Sequence, residues 1–205
     1  MSDSIELAAL DFPLRHDGGA DWSAAGTGLA VRAAASTDLF VDPSGTTGVA
    51  AETLLNATTL LGDPGSGDFV LSARTEVSFR DTFDAGVLLV WIDDHRWAKL
   101  CFERSPAGEH MVVSVVTRGT SDDANAAVVE AGSVHLRIAR AGRVVAFHSS
   151  ADGLRWAFVR AFTLEGVESA QVGFEAQSPV GDGCDVVFDQ VRFERRTLQD
   201  LRDGS

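Results

Sequence analysis

Cysteine, methionine and proline are scarce in this 205-residue chain, with two, two and five residues, and tyrosine is absent. The two cysteines, Cys101 and Cys184, form neither a CxxC pair nor a metal-ligand spacing, so neither a disulfide framework nor a zinc cluster underlies the fold. In a reducing compartment they are expected as free thiols; a disulfide requires their strands to be neighbours. Five histidines without an HxH or HExxH spacing argue against zinc. Cations are the minority charge: 17 Lys plus Arg stand against 30 Asp plus Glu, a formal charge of −13. Nucleic acid and anionic membrane both require a basic footprint, so neither is expected as a partner. No run approaches the ~18 consecutive apolar residues of a membrane span. The opening "MSDSIELAAL" has acidic residues and no basic segment before an apolar run, unlike a secretory signal. The expectation is a cytoplasmic protein. Domain linkers and internal repeats are also missing, and residues 1–205 are expected as one domain. A core at this length can bury roughly 70% of the unfolded surface.

What the sequence has is strands. From "LAVRAAA" onward, short runs recur: "FVLSARTEVSF", "AGVLLVWID", "WAKLCFE", "MVVSVVT", "SVHLRIAR", "RVVAFHSS", "RWAFVRAFT", "SAQVGFEAQ" and "DVVFDQVRFER". Most are rich in Val, Phe, Ile or Trp and bounded by Gly, Asp, Pro or Ser, which predicts an antiparallel sandwich or barrel. Gly142 in "ARAGRV" and Asp152-Gly153 in "SSADGLRW" mark hairpin turns. The segment "AAETLLNATTLLG" is ambiguous between a short helix and an irregular connection, and "RRTLQDLRDGS" is expected to form one helical turn and then fray.

Period-two parity sorts the side chains. In "WAKLCFE", Ala98, Leu100 and Phe102 share one face, and Trp97, Lys99, Cys101 and Glu103 the other. Val134, Leu136 and Ile138 oppose His135 and Arg137. Val145 and Phe147 oppose Ala146, His148 and Ser150. Val172, Phe174 and Ala176 oppose Gly173, Glu175 and Gln177. Four strands thus pair an apolar face with one that mixes charge with aromatic or small residues. That second face is either a solvated exterior with cross-strand ion pairs or a concave ligand face. Directional polar groups beside an aromatic surface suit a sugar, so Trp97, Lys99, Glu103, Arg137, His148, Glu175 and Gln177 are the candidate ligand-binding residues. Trp22, Trp91 and Trp156 are expected in core or loop packing.

Several stretches together carry a resemblance: "TDLFVDP", "GDFVLSA", "DAGVLLVWIDDHRWAKLCFE", "VVSVVTRGTSDDAN", "HSSADGLRWAFVRAF", "VGFEAQSPVGDG" and "VVFDQVRF". In this order they resemble the uncharacterised concanavalin A-like domains of unknown function family 1349, the regulation-of-enolase family, over about residues 20–200. The resemblance implies an all-β, concanavalin A-like jelly-roll β-sandwich of two antiparallel sheets, and no established reaction or catalytic residues. Glucanases on this fold carry an E-x-D-x-E strand, whereas "CFERSPAGE" has one Glu in its strand.

The leading expectation is a carbohydrate-recognition domain binding a sugar or oligosaccharide on the concave face. A glycoside hydrolase or lyase at that face is the first alternative, with Glu103 and Glu175 as the candidate catalytic pair. Carboxyls about 5 Å apart suit a retaining mechanism and roughly 6.5–9.5 Å an inverting one; the alternative for each Glu is a structural ion pair. A cytosolic regulatory protein that binds another protein is the third reading. No cofactor is called for. Asp122, Asp123 and Asn125, read as a loop in "TSDDAN", are the candidate Ca²⁺ ligands, against an Asx-type turn.

Overall fold

The computed structural model describes residues 4–16, 21–44 and 53–205. In chain order its strands are β1 (Ser4–Ile5), β2 (Leu14–Arg15), β3 (Ser23–Ala25), β4 (Gly28–Arg32), β5 (Leu39–Phe40), β6 (Leu54–Leu55), β7 (Thr58–Gly62), β8 (Phe69–Val77), β9 (Ala85–Asp93), β10 (Arg96–Arg104), β11 (His110–Arg118), β12 (Thr120–Val128), β13 (Ser133–Ala141), β14 (Val144–Ser150), β15 (Ala157–Phe162), β16 (Gln171–Gln177) and β17 (Asp185–Glu194). They form an eight-stranded sheet ordered β1-β2-β7-β16-β9-β10-β11-β12 and a seven-stranded sheet ordered β15-β14-β13-β8-β17-β4-β3, with β5 and β6 as a separate ribbon. Every pairing of neighbouring strands is antiparallel. The runs β9–β12 and β13–β15 stay within one sheet. The chain changes sheets from β2 to β3, from β4 to β7 by way of the β5–β6 ribbon, and from β7 to β8, β8 to β9, β12 to β13, β15 to β16 and β16 to β17. This is the wiring of the expected jelly-roll sandwich.

The alternation predicted for the four strands sets the core. Ala98, Leu100 and Phe102 of β10 and Phe174 of β16 face Val134, Leu136 and Ile138 of β13, Phe147 of β14 and Phe188 of β17 in one buried cluster between the sheets. Phe174 and Phe188 meet across the sandwich with ring centroids 4.9 Å apart. Gly173 sits where β16 passes close to β7: a Cβ there would lie 2.1 Å from the Leu60 carbonyl oxygen.

The structure alters three local expectations. "AAETLLNATTLLG" is neither helix nor irregular over its described part, because Leu54–Leu55 and Thr58–Gly62 are strands. "TSDDAN" is not a loop; it opens the edge strand β12. The tail does not fray: Leu198 is buried and packs with Leu201 against Val70 and Ala139, on the outward face of the seven-stranded sheet. Both cysteines are buried and free, Cys184 in the inter-sheet core and Cys101 on the opposite side of the eight-stranded sheet.

Phe174 is fully buried at the centre of the inter-sheet contact. Phe174→Ala is therefore expected to cost about 3–5 kcal/mol, measured as a shift of the urea unfolding midpoint at unchanged slope. A loss below about 1 kcal/mol would show that the two sheets do not depend on this contact.

Candidate functional site

The outward face of the eight-stranded sheet carries a second buried cluster: Ala85, Val87 and Leu89 of β9, Trp97 and Cys101 of β10, and Val113 and Val115 of β11. Apolar residues on an outward face need a cover, and the chain around β5 supplies it. Leu39 of β5 is itself buried in this cluster, and Val41 packs on it. The covering segment is fastened at both ends. Thr37 bridges to Ser178, just beyond β16, and Val41 exchanges hydrogen bonds with Ser121 of β12, its N–H donating to the Ser121 hydroxyl and its carbonyl accepting from the Ser121 N–H, both at 2.9 Å.

Lys99 lies between these ends and is the only lysine in the chain. Its side chain is 2% exposed. Its ammonium donates to Asp38 Oδ1 at 2.8 Å and to Gln177 Oε1 at 2.7 Å, while Gln177 Nε2 donates to the Phe83 carbonyl at 3.1 Å. Burial opposes the charge on Lys99, but the carboxylates around it, Asp38 foremost, outweigh burial and hold its pKa above the ordinary lysine value. Glu175 is fully buried, and neither carboxyl oxygen has a hydrogen-bond partner. Burial pushes its pKa up to about 7 in spite of the nearby ammonium. Desolvation also pushes Glu103, at the edge of the cluster, up to about 8, and raises the Cys101 thiol well above its usual value. The Trp97 ring is fully buried, its Nε1 has no partner, and Lys99 Nζ stands 5.9 Å from its centroid.

Trp97, Lys99 and Glu103 share a face of β10, as parity required, and sheet order brings Glu175 and Gln177 of β16 onto the same face, but the face is roofed rather than open. Arg137 and His148 do not join them. They belong to β13 and β14 of the seven-stranded sheet and point outward on the other side of the sandwich. There His148 Nε2 lies 2.6 Å from the Leu201 carbonyl of the tail. Parity fixes a side chain's face within its own strand and does not say which sheet that strand joins. The candidate Ca²⁺ set is divided for the same reason. Once "TSDDAN" is a strand, Asp122 stands opposite Val116 of the core side, and Asp123 and Asn125 stand opposite Val115 and Val113 of the outward side. Asp122 pairs instead with Arg160 of the other sheet at 2.8 Å. No group of three or more His, Cys, Asp or Glu suited to a metal ion occurs among the described residues. Glu103 and Glu175 lie on β10 and β16 with β9 between them, two residues out of register. Strand spacing alone then separates their backbones by about 10 Å.

The open part of this face lies beside the roof. A cavity of about 410 Å³ is lined by Trp91, Arg15, Asp94, Gln171 and Thr59, with Leu39, Leu55 and Ala57 as an apolar wall. Trp91 was expected in packing; it is half-buried and stands directly opposite Trp97. A two-residue turn at Asp94-His95 would align Trp97 with Ile92. The register shift at Arg96/Trp97 moves Trp91 into that place, and such a bulge leaves no trace in period-two counting.

Residues 18–196 match the DUF1349 family, described as a protein of unknown function. "Regulation of enolase protein 1" of Saccharomyces cerevisiae is 30% identical over 133 residues, which span 63% of this chain and 66% of that protein, just under two thirds of its length. A functionally unknown protein from Saccharomyces cerevisiae superposes with a TM-score of 0.76 at 25% identity, covering 86% of this chain and 92% of that one. A GH43 protein of Bacillus licheniformis superposes with a TM-score of 0.69 at 15% identity, covering 91% of this chain and 37% of that one, a likeness of fold alone.

Two outcomes follow from the buried charges. Removing one partner of a buried pair strands the other, so Lys99→Met is expected to cost about 3–5 kcal/mol, and Asp38→Asn added to it should return a large part of that loss. A chemical-denaturation double-mutant cycle reads this directly, and additivity of the two substitutions would refute the pairing. Glu175 supplies the pH prediction. Its folded pKa lies above its unfolded value, so its contribution is complete below about pH 4.5 and is lost as pH rises through about 7. The span is worth roughly 3 kcal/mol. Unfolding free energies for wild type minus Glu175→Gln, measured from pH 5 to 8, should fall with pH; a flat difference would mean that the carboxyl is ionised throughout. Subtraction removes the opposite slope of His148, which burial pushes down to about 4.

Proposed function

Since the chain belongs to the DUF1349 family of proteins of unknown function, its role has to be sought on its own surface, and we propose that it recognises a carbohydrate in the cavity beside Trp91. The observation that carries this reading is the composition of that cavity: a half-buried indole with Arg15, Asp94, Gln171 and Thr59 around about 410 Å³. A sugar ring offers an apolar face that stacks on an indole and a rim of hydroxyls that both donate and accept. Arg15, Gln171 and Thr59 supply donors, and Asp94, Gln171 and Thr59 supply acceptors. The side chains of Arg15, Asp94 and Gln171 make no hydrogen bond or ion pair with other described residues.

The buried residues have a different part in this reading. Lys99, Asp38 and Gln177 do not touch the sugar; they fix the segment that carries Leu39, and so the apolar wall of the cavity. Trp91 takes the stacking role first considered for Trp97. The GH43 protein of Bacillus licheniformis supports the reading only as an example of the fold, and fold alone does not carry function. Glycoside hydrolysis receives less support: neither Glu103 nor Glu175 is among the residues that line the cavity. A protein-docking reading needs a continuous apolar patch. Among the described residues, the exposed large apolar ones, Leu55, Val128, Val144, Leu154, Val180 and Val187, lie instead on six separate strands and loops.

A glycan-array screen with and without Ca²⁺, followed by titration calorimetry on any hit, tests the proposal. Trp91→Ala is expected to weaken a hit by at least about tenfold, or ~1.4 kcal/mol, with the unfolding midpoint little changed. An array blank under both conditions, or a hit indifferent to Trp91→Ala, would overturn it.

A further inference from the structure

The other face of the sandwich holds a pocket of opposite character. It encloses about 190 Å³ on the outward side of the seven-stranded sheet, and its lining includes Arg137, Arg192, Arg196, His135, Trp156 and Ser72. In a chain of net charge −13, this convergence of three guanidinium groups and an imidazole is a local exception. Two acids also line it, and both are engaged. Glu194 pairs with Arg196 at 3.1 Å, and Asp152 Oδ1 accepts from the Leu154 and Arg155 N–H groups at 2.9 and 2.8 Å as the cap of its turn.

Arg137 is the most constrained member. It is 2% exposed. Its guanidinium stacks on Trp156 with the central carbon 4.2 Å from the ring centroid, and Gly204 of the tail closes over Nη2 so tightly that a Cβ at that glycine would lie 2.2 Å away. Its Nε and Nη2 are buried without an acceptor. A buried guanidinium with unmet donors is costly unless a partner is supplied, and no carboxylate of the described residues pairs with it.

The backbone of β17 is bent in a way that completes the pocket. Its register breaks between Asp189 and Arg192, and Gln190 lies in the left-handed region at φ 49°, a conformation that costs a non-glycine residue about 1 kcal/mol or more. Strict alternation from buried Phe188 would turn Gln190 and Arg192 into the core. The bulge keeps Val191 in the core and turns Gln190, Arg192 and Glu194 to the pocket.

We propose that this pocket is a binding site for a small phosphate-bearing anion, held by Arg137 from below and by Arg192 at its rim. The Arg192 guanidinium presents parallel N–H donors that match two oxygens of one phosphate; Arg137, whose Nη2 is covered by Gly204, contributes its charge and its remaining donor, and Ser72 and His135 add donors from neighbouring strands. The site is separate from the Trp91 cavity, which lies on the opposite sheet, and does not depend on what binds there.

Titration of the full chain with inorganic phosphate at constant ionic strength, followed by amide chemical shifts, tests the proposal; parallel titrations use glycerol phosphate and acetate. The expected result is saturable shifts centred on residues 135–137, 153–156 and 190–196 with a dissociation constant on the order of 1 mM or tighter. Tighter binding of glycerol phosphate than of inorganic phosphate would identify an esterified ligand, the reverse order the free ion, and both uphold the site. Arg137→Met should abolish binding. Should that variant fail to fold, Arg192→Ala decides, because Arg192 makes no ion pair or hydrogen bond with other described residues; it should weaken phosphate by at least about tenfold. Absence of saturation, equal response to acetate, or full binding in Arg192→Ala would overturn the assignment.

Discussion

The Lys99 ammonium, held between Asp38 and Gln177 beneath a two-stranded ribbon, is the interaction on which the eight-stranded face depends. A jelly-roll sheet has one face for the core and one for water, yet here the outward face carries Val87, Leu89, Trp97, Val113 and Val115. The ribbon that covers them has strands of two residues each, too short for a backbone ladder to hold alone. Lys99 fastens it from below, and Ser121 and Ser178 fasten its ends. Neutrality follows from the same burial. One cation and one carboxylate balance, and raised carboxyl pKa values keep Glu175 and Glu103 from adding charge that the site cannot solvate. Lysine suits this position better than arginine, because a compact ammonium directs its donors to two acceptors from one point.

The two outward faces solve the same problem with different material. One is roofed by the segment around β5 and the other by the tail around Leu198 and Leu201. Each roof covers only part of its sheet, and a cavity opens where it ends. The chemistry of the two cavities then diverges with the strands beneath them. One has an indole with a mixture of donors and acceptors, suited to a neutral polyhydroxyl ligand. The other gathers guanidinium groups that desolvate poorly without an anion. A strongly acidic chain repels anions at long range, so an anion site on it has to be built from short-range, geometrically matched donors.

Much of this was legible in the sequence, and what was not has an identifiable cause. The all-β class and the inward residues of β10, β13, β14 and β16 follow from strand signals and period-two alternation, and the two sheets from the family resemblance. Alternation also gives the common face of Trp97, Lys99 and Glu103 within β10, and that of Glu175 and Gln177 within β16. Sheet membership did not follow, because the alternation in "VHLRIAR" and "VVAFHSS" is the same in either sheet; Arg137 and His148 were grouped with Lys99 on that ground. The roof was equally hidden, since nothing local in "TDLFVDP" says that Asp38 will meet a lysine sixty-one positions away. The composition does carry one signal: a chain with sixteen arginines and one lysine marks that lysine as a position where guanidinium does not serve.

Strand irregularity explains the anion pocket. Alternation is a rule about regular strands, and the chain departs from it at Arg96/Trp97 and between Asp189 and Arg192. The first shift leaves Trp91 on the outward face, where alternation with Val87 and Leu89 puts it, and sets it opposite Trp97; the second turns Arg192 outward while Val191 stays in the core. Were β17 regular, Arg192 would carry a charge into the core. The energetic penalty of an interrupted ladder and of Gln190 at positive φ is therefore smaller than that of the alternative it avoids. It has a structural consequence beyond that avoidance, since the bulge in β17 delivers to its pocket a guanidinium, the group that gives the pocket its chemical character.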